Sequence, residues 1–175
     1  LEQGDKVVIC QNGGFGGRMK ENAIRCGAVA VMIEEEWGKT IDCNKVEETL
    51  KKNPDAKALA FVHAETSTGA RSDVELLCGL AQKYGCLSIV DSVTGLAGIE
   101  LYVDKWGIDA IYSGTQKCLS CVPGLSPVSF SDQAAEVIRQ RKTQVQSWFL
   151  DLNLVMGYWG GASKRAYHHL ALIHI

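Results

Sequence analysis

Ser72-Asp-Val-Glu-Leu-Leu-Cys-Gly-Leu-Ala-Gln-Lys-Tyr-Gly-Cys-Leu-Ser-Ile-Val-Asp91 changes its hydrophobic period part-way along. Its first half places Val74, Leu77, Cys78 and Ala81 at the i, i+3, i+4, i+7 spacing of one helical face. Ser72 followed three residues later by Glu75 predicts a capping box at the start of that helix. Beyond Gly85, the run Cys86–Val90 is continuously apolar apart from one serine, which predicts a buried strand ending on Asp91.

The same alternation extends in both directions. Lys6–Cys10 reads as a strand that runs into a glycine-rich loop, Gln11-Asn-Gly-Gly-Phe-Gly-Gly-Arg18, and then a helical stretch. Further strands are expected at Ala28–Ile33, Ala58–His63, Ala110–Tyr112 and Pro127–Phe130. Helices are expected from Asp42 to Asn53 and from a Ser131 cap to about Arg141. Strands alternating with helices give an α/β fold with a mainly parallel sheet flanked by helices. From about Gln144 onward Trp148, Phe149, Tyr158 and Trp159 follow no clear period, and the end, His169–Ile175, is an apolar stub that would need something to pack against.

Composition narrows the class of protein. At 46% hydrophobic and 22% charged residues, the 175-residue chain can form a sizeable core. A formal net charge of −2 gives no electrostatic reason to expect nucleic acid or an acidic membrane as partner. No apolar run approaches the roughly 20 residues that span a bilayer. The polar start, Leu1 to Lys6, lacks the features of a signal peptide. With no initiator Met, the chain is expected to begin inside a longer protein. Seven cysteines, an odd number spread from Cys10 to Cys121, argue against a disulfide scaffold and for a reducing compartment. Cys118 and Cys121 form a lone C-x-x-C with no second pair at zinc spacing, and His168 and His169 are adjacent, so no metal site is expected.

Ligands of open parallel sheets bind outside the carboxyl ends of the strands. Four strand ends here deliver chemistry to one rim. The first carries Phe15 among glycines, the third Ala64-Glu-Thr-Ser-Thr-Gly69, the next Asp91-Ser-Val-Thr94, and the one after it Ser113-Gly-Thr-Gln-Lys117. Singly, each residue also has a plain reading. Asp91 fits a turn cap, Lys117 a solvated surface lysine, Phe15 a core aromatic, and Thr66 to Thr68 turn hydroxyls. Together they are the residue types that pyridoxal phosphate needs. That cofactor requires an amine for the Schiff base, an acid to hold the pyridine nitrogen protonated, an aromatic over the ring, and small donors around the phosphate.

The stretch Leu-Ser-Ile-Val-Asp91-Ser-Val, followed 26 residues after Asp91 by the lysine of Tyr-Ser-Gly-Thr-Gln-Lys117, resembles the class V aminotransferases, and among them the alanine–glyoxylate or serine–pyruvate group. His63-Ala-Glu-Thr-Ser-Thr-Gly69, Pro123-Gly-Leu-Ser-Pro-Val-Ser-Phe130 and Tyr167-His-His169 extend the resemblance over nearly the whole chain. It implies the central part of the large domain of a fold-type-I, aspartate-aminotransferase-like protein. Residues 1–143 would form the cofactor-binding core and residues 144–175 the end of the large domain, in contact with a second subunit. The family's N-terminal helix would precede Leu1 and its C-terminal domain would follow Ile175.

The resemblance also implies roles. Lys117 would form the Schiff base and later shuttle the proton, and Asp91 would pair with the pyridine nitrogen. Phe15 matches the stacking aromatic, Thr66 and Gln116 match cofactor contacts, and Tyr167 matches a residue reaching the neighbouring subunit's phosphate in a homodimer. Two departures stand out. Leu170 replaces the family's threonine after Tyr-His-His, and Val122-Pro123 replaces its double proline. The implied reaction is transamination of alanine or serine with glyoxylate or pyruvate. Alternatives are a 3-hydroxykynurenine or aminophosphonate aminotransferase, a cysteine desulfurase-like enzyme, or a non-catalytic α/β module. Cytoplasm is the default location, with peroxisome and mitochondrion left open.

Overall fold

The computed structural model describes residues 1–159. It falls into two compact units, Leu1–Ala134 and Ala135 onward. The first unit contains β1 (Lys6–Gln11), α1 (Gly14–Arg25), β2 (Val29–Glu34), α2 (Cys43–Lys52), β3 (Ala56–Val62), the short hairpin strands β4 (Ala64–Glu65) and β5 (Ala70–Arg71), α3 (Val74–Lys83), β6 (Leu87–Asp91), β7 (Ala110–Tyr112) and β8 (Val128–Phe130). The six long strands form one sheet in the order β2-β1-β3-β6-β7-β8. Every pairing is parallel except β7 with β8. The chain steps from β1 outward to β2, then returns to the other side of β1 with β3. The sequence order therefore reverses between β1 and β3, which opens a crevice at their carboxyl ends.

Strand side chains alternate between two cores. Val8, Cys10, Leu59, Phe61, Val90 and Ile111 face one way and pack with residues of α2 and α3, among them Val46, Leu50, Val74, Leu77 and Cys78. Val7, Ile9, Ala58, Ala60 and Val62 face the other way, against Met19 and Ala23 of α1, with Phe15, Ile89 and Tyr112 partly buried beside them. Phe61 and Leu77 are fully buried, and burial of this kind stabilises by about 1.5–3 kcal/mol per side chain.

Local chemistry sets two helix starts differently from the sequence expectation. The cap of α3 is Asp73, whose carboxylate accepts from the Leu76 N–H at 3.0 Å. Ser72 is buried and donates instead to the Val62 carbonyl at 2.7 Å, tying the β5–α3 turn to the end of β3. The glycine-rich segment is not a loop throughout, because α1 already begins at Gly14. Glycine is required inside it: a Cβ on Gly16 would lie 2.8 Å from the Cys10 carbonyl and from the Gln11 Cα, both backbone atoms of β1. Ser131 behaves as expected, accepting from the Ala134 N–H at the start of α4 (Asp132–Arg139). In the second unit a 3-10 turn, Trp148–Leu150, precedes α5 (Leu152–Trp159), and Asn153 donates through Nδ2 to the Ile138 carbonyl. Trp148, Phe149 and Leu150 are exposed.

Candidate active site

The rim at the carboxyl ends of β1, β3, β6 and β7 is joined by hydrogen bonds between segments distant in sequence. Its first anchor is Glu65, which is buried. Its Oε2 accepts from the backbone N–H groups of Phe15 (3.0 Å) and Gly16 (3.2 Å), while Oε1 accepts from the Ser67 N–H (3.1 Å) and hydroxyl (2.7 Å). Ser67 Oγ in turn accepts from the Gly14 N–H at 2.9 Å. A carboxylate and a hydroxyl thus occupy the amino terminus of α1, where unpaired N–H groups and the helix dipole favour negative charge. This fixes the backbone of Phe15. The Phe15 ring packs toward the second core, with the Arg18 guanidinium 4.6 Å from its centroid.

Thr66 continues the rim. Its hydroxyl hydrogen-bonds to that of Thr94, in the turn after β6. Thr94 also offers its carbonyl to the Cys118 thiol, 3.2 Å away, and Cys118 adjoins Lys117 in the loop after β7. Phe15, Thr66, Thr94 and Lys117 therefore sit on segments that touch one after another. Gln116 is exposed and lies against Gly114, where a Cβ would come within 2.7 Å of its Oε1. Tyr167 lies outside the described residues.

Asp91 closes β6 and is buried. Its Oδ1 accepts from the Val93 N–H at 2.9 Å, and its Oδ2 accepts from the Tyr112 hydroxyl at 2.8 Å. Burial raises its pKa. The Val93 N–H and the Tyr112 hydroxyl pull the other way, and the negative charge of Glu65 adds to the rise. No cation pairs with Asp91 among the described residues. Beneath it, buried His63 shares a 3.2 Å hydrogen bond between Nδ1 and Ser92 Oγ, and its pKa is lowered to about 4, first by burial and then by the charge of Arg71. Lys117 is half-buried, and its ammonium makes no hydrogen bond or ion pair among the described residues.

A family model for class-V aminotransferases matches residues 1–146 of the chain. The chain belongs to that family. An alanine–glyoxylate aminotransferase of Oryctolagus cuniculus is 39% identical to this class-V chain over 170 residues, which are 97% of the chain and 43% of that protein. The (S)-ureidoglycine–glyoxylate transaminase of Bacillus subtilis is 35% identical, over 97% of the chain and 44% of that protein. The crystal structure of an alanine–glyoxylate aminotransferase from Nostoc sp. matches with a TM-score of 0.92 and 43% identity, covering 98% of this chain and 45% of that one. The chain thus spans less than half the length of these relatives.

Class-V aminotransferases depend on pyridoxal phosphate, and their sheet is that of fold type I. The rim of this chain fits that cofactor on a point of chemistry. An ionised carboxylate offers about four acceptor positions, and Asp91 spends two of them on donors among the described residues. Among the described residues it is a buried carboxylate with acceptor capacity to spare and no cation, on the same rim as a lysine that has no hydrogen-bond or ion-pair partner. A positively charged ring nitrogen and an aldehyde are the groups such a pair would take.

Glu65 and Tyr112 carry much of this geometry and were not singled out from sequence. Glu65 looked like one residue of a polar turn, because its partner Phe15 lies 50 residues earlier in the chain. Tyr112 looked like the last residue of a strand. Its contact with Asp91 depends on the pairing of β6 with β7, which places Asp91 opposite Tyr112.

Proposed function

We propose that the protein containing this chain is a pyridoxal-phosphate-dependent transaminase that moves an amino group from a small amino acid, alanine or serine, to glyoxylate or pyruvate. The observation that carries the reading is the presence on one rim of buried Asp91 and of Lys117, neither of which has an oppositely charged partner among the described residues. The names of the relatives support glyoxylate as acceptor, since both the alanine and the ureidoglycine enzymes use it.

When bound, the cofactor supplies an electron sink for the pair of electrons left when the α-proton departs. The residues do the rest. Lys117 would hold the cofactor's aldehyde through its Nζ and would serve as the base that takes and returns the α-proton. That would require a neutral amine. Asp91 would hold the cofactor's ring nitrogen, favouring its protonated form by offering it a fixed negative partner. Phe15 would cover a ring face, the Thr66 hydroxyl would donate to the cofactor, and Gln116 would contact its phosphate. Tyr167 would contact the phosphate in the second subunit of a homodimer.

The test uses the full-length protein with pyridoxal phosphate, reduced with borohydride and mapped by mass spectrometry. The expected result is one reduced adduct on Lys117, lost in Lys117→Ala together with transamination. An adduct on another lysine, or undiminished transamination by Lys117→Ala, would overturn the assignment. Release of sulfide from cysteine would instead favour a desulfurase.

A further inference from the structure

The parallel pairing of β6 with β7 sets Asp91 opposite Tyr112, at the carboxyl ends of both strands. The Tyr112 ring packs against the second core, and its backbone carbonyl accepts from the Ser92 N–H at 2.9 Å. The phenol is therefore anchored by its ring and by its main chain, with its hydroxyl 2.8 Å from Asp91 Oδ2. An ionised carboxylate has no proton to give, so the phenol must be the donor. Burial and the charge of Asp91 both push the phenol's own pKa upward, so it keeps its proton throughout the neutral range.

We propose that Tyr112 is a positioning residue that keeps Asp91 a fixed, ionised carboxylate, so that the proton Asp91 would share with the cofactor's ring nitrogen stays on the nitrogen. The inference rests on the transaminase reading for the identity of the ring. The pair itself belongs to this chain alone. Burial and the charge of Glu65 both favour a neutral Asp91. Two hydrogen bonds oppose them. The one from Val93 is a backbone N–H within Asp91's own turn and exists whenever that turn forms. The one from Tyr112 is contributed by a side chain on another strand, and is the one that substitution can remove. Without it Asp91 becomes a stronger base, and a shared proton moves from nitrogen to carboxylate. The ring is then a neutral pyridine and a poorer electron sink.

The experiment compares full-length wild type with Tyr112→Phe, which removes one oxygen and leaves the ring packing in place. Without cofactor, carbon-13 NMR of labelled aspartate follows the ionisation of Asp91. The expected result is an acid dissociation constant about tenfold smaller in Tyr112→Phe, the scale of one hydrogen bond to a charged group. With nitrogen-15-labelled pyridoxal phosphate, the ring-nitrogen resonance should move from its protonated toward its unprotonated position. A role limited to packing would move neither signal.

Should Tyr112→Phe fail to fold, 3-fluorotyrosine installed at position 112 decides the matter. Its more acidic phenol is a stronger donor, so it should make Asp91 a stronger acid than in wild type. Unchanged Asp91 ionisation in whichever variant folds overturns the proposal, as does a ring nitrogen that stays equally protonated. If wild type forms no adduct on Lys117, the transaminase reading fails separately, and the Asp91 titration still decides the role of Tyr112.

Discussion

Replacing Glu65 with Gln tests whether a buried carboxylate sets the start of α1 and hence the backbone of Phe15. The carboxylate accepts four hydrogen bonds, two at each oxygen. A glutamine keeps the shape but has one oxygen and one NH2. Aiming its oxygen at the Phe15 and Gly16 N–H groups is the cheaper choice, because the alternative strands two donors at a helix start. The NH2 then faces Ser67, whose hydroxyl can turn to accept from it, while the Ser67 N–H is left without its acceptor. An unsatisfied N–H costs about 1–3 kcal/mol when buried, and Ser67 is only partly shielded, which favours the low end.

The two surviving bonds to α1 lose charge assistance, roughly 1 kcal/mol each, and the helix loses a negative charge at its amino end, worth about 0.3–1 kcal/mol. Against this, an amide is cheaper to bury than a carboxylate. The expected net loss is about 2–3 kcal/mol. In urea, with m near 1–3 kcal/mol/M, the midpoint should fall by about 1 M at unchanged m. A loss below about 0.5 kcal/mol would refute the reasoning, since it would mean that the four bonds are no better than those of the same groups to water.

Two further expectations follow from burial. His63 has a folded pKa of about 4 against an ordinary 6.5, so the unfolded chain binds its proton first as pH falls. Its contribution to stability is fully present above the unfolded value and is lost on acidification through the 6.5-to-4 window, by about 2 kcal/mol between pH 7 and pH 5. Asp91, whose pKa is raised, works in the opposite sense, favouring the folded state only as pH falls below that raised value. Urea midpoints at the two pH values, with His63 ring NMR signals that stay neutral at pH 5.5, check this; a charged His63 at pH 5.5 contradicts it. For the thiols, brief iodoacetamide treatment at pH 8 should label exposed Cys26, Cys118 and Cys121 and leave Cys10, Cys78 and Cys86 for labelling in urea. Burial pushes the Cys10 and Cys86 thiols up and that of Cys78 to about 11, and peptide mapping that finds Cys78 labelled early would contradict the packing.

The layered α/β fold was legible because local period and strand order agree. Apolar runs at Lys6–Gln11, Ala56–Val62 and Leu87–Asp91 are buried on both faces and cannot be mistaken for amphipathic helices. That Asp91 and Lys117 share a rim was legible for a related reason, since Asp91 ends β6, Lys117 lies in the loop after β7, and the carboxyl ends of parallel strands face the same side. Helix starts were less legible. Ser72 and Glu75 satisfy the capping-box spacing, yet Asp73 makes the cap, because the Val62 carbonyl needs a donor and Ser72 is the hydroxyl within reach. Local spacing cannot show that competing demand. The glycines misled in the same way, since the acceptor that starts a helix among them is Glu65.

Asp91 and Asp109 show why strand polarity, rather than residue type or burial, separates a carboxylate with acceptor capacity to spare from one whose oxygens are taken up by the fold. Both are buried aspartates beside the same strand pair, Asp91 closing β6 and Asp109 immediately preceding β7. At Asp109, Oδ2 takes the Ser88 N–H and hydroxyl and Oδ1 takes the Ser131 hydroxyl, so strands and helix start are stitched together and little acceptor capacity remains. At Asp91 the donors are one turn N–H and one phenol, one to each oxygen. The difference follows from the sheet. At the amino end of β7 the neighbouring segments converge on Asp109, Ser88 near the start of β6 and Ser131 at the start of α4 among them. At the carboxyl end of β6 the chain diverges into loops that touch side by side along a rim, and an anion there keeps unused lone pairs. A parallel sheet thus supplies two kinds of carboxylate site at its opposite edges, and only the one at the carboxyl edge has room for a ligand's charge.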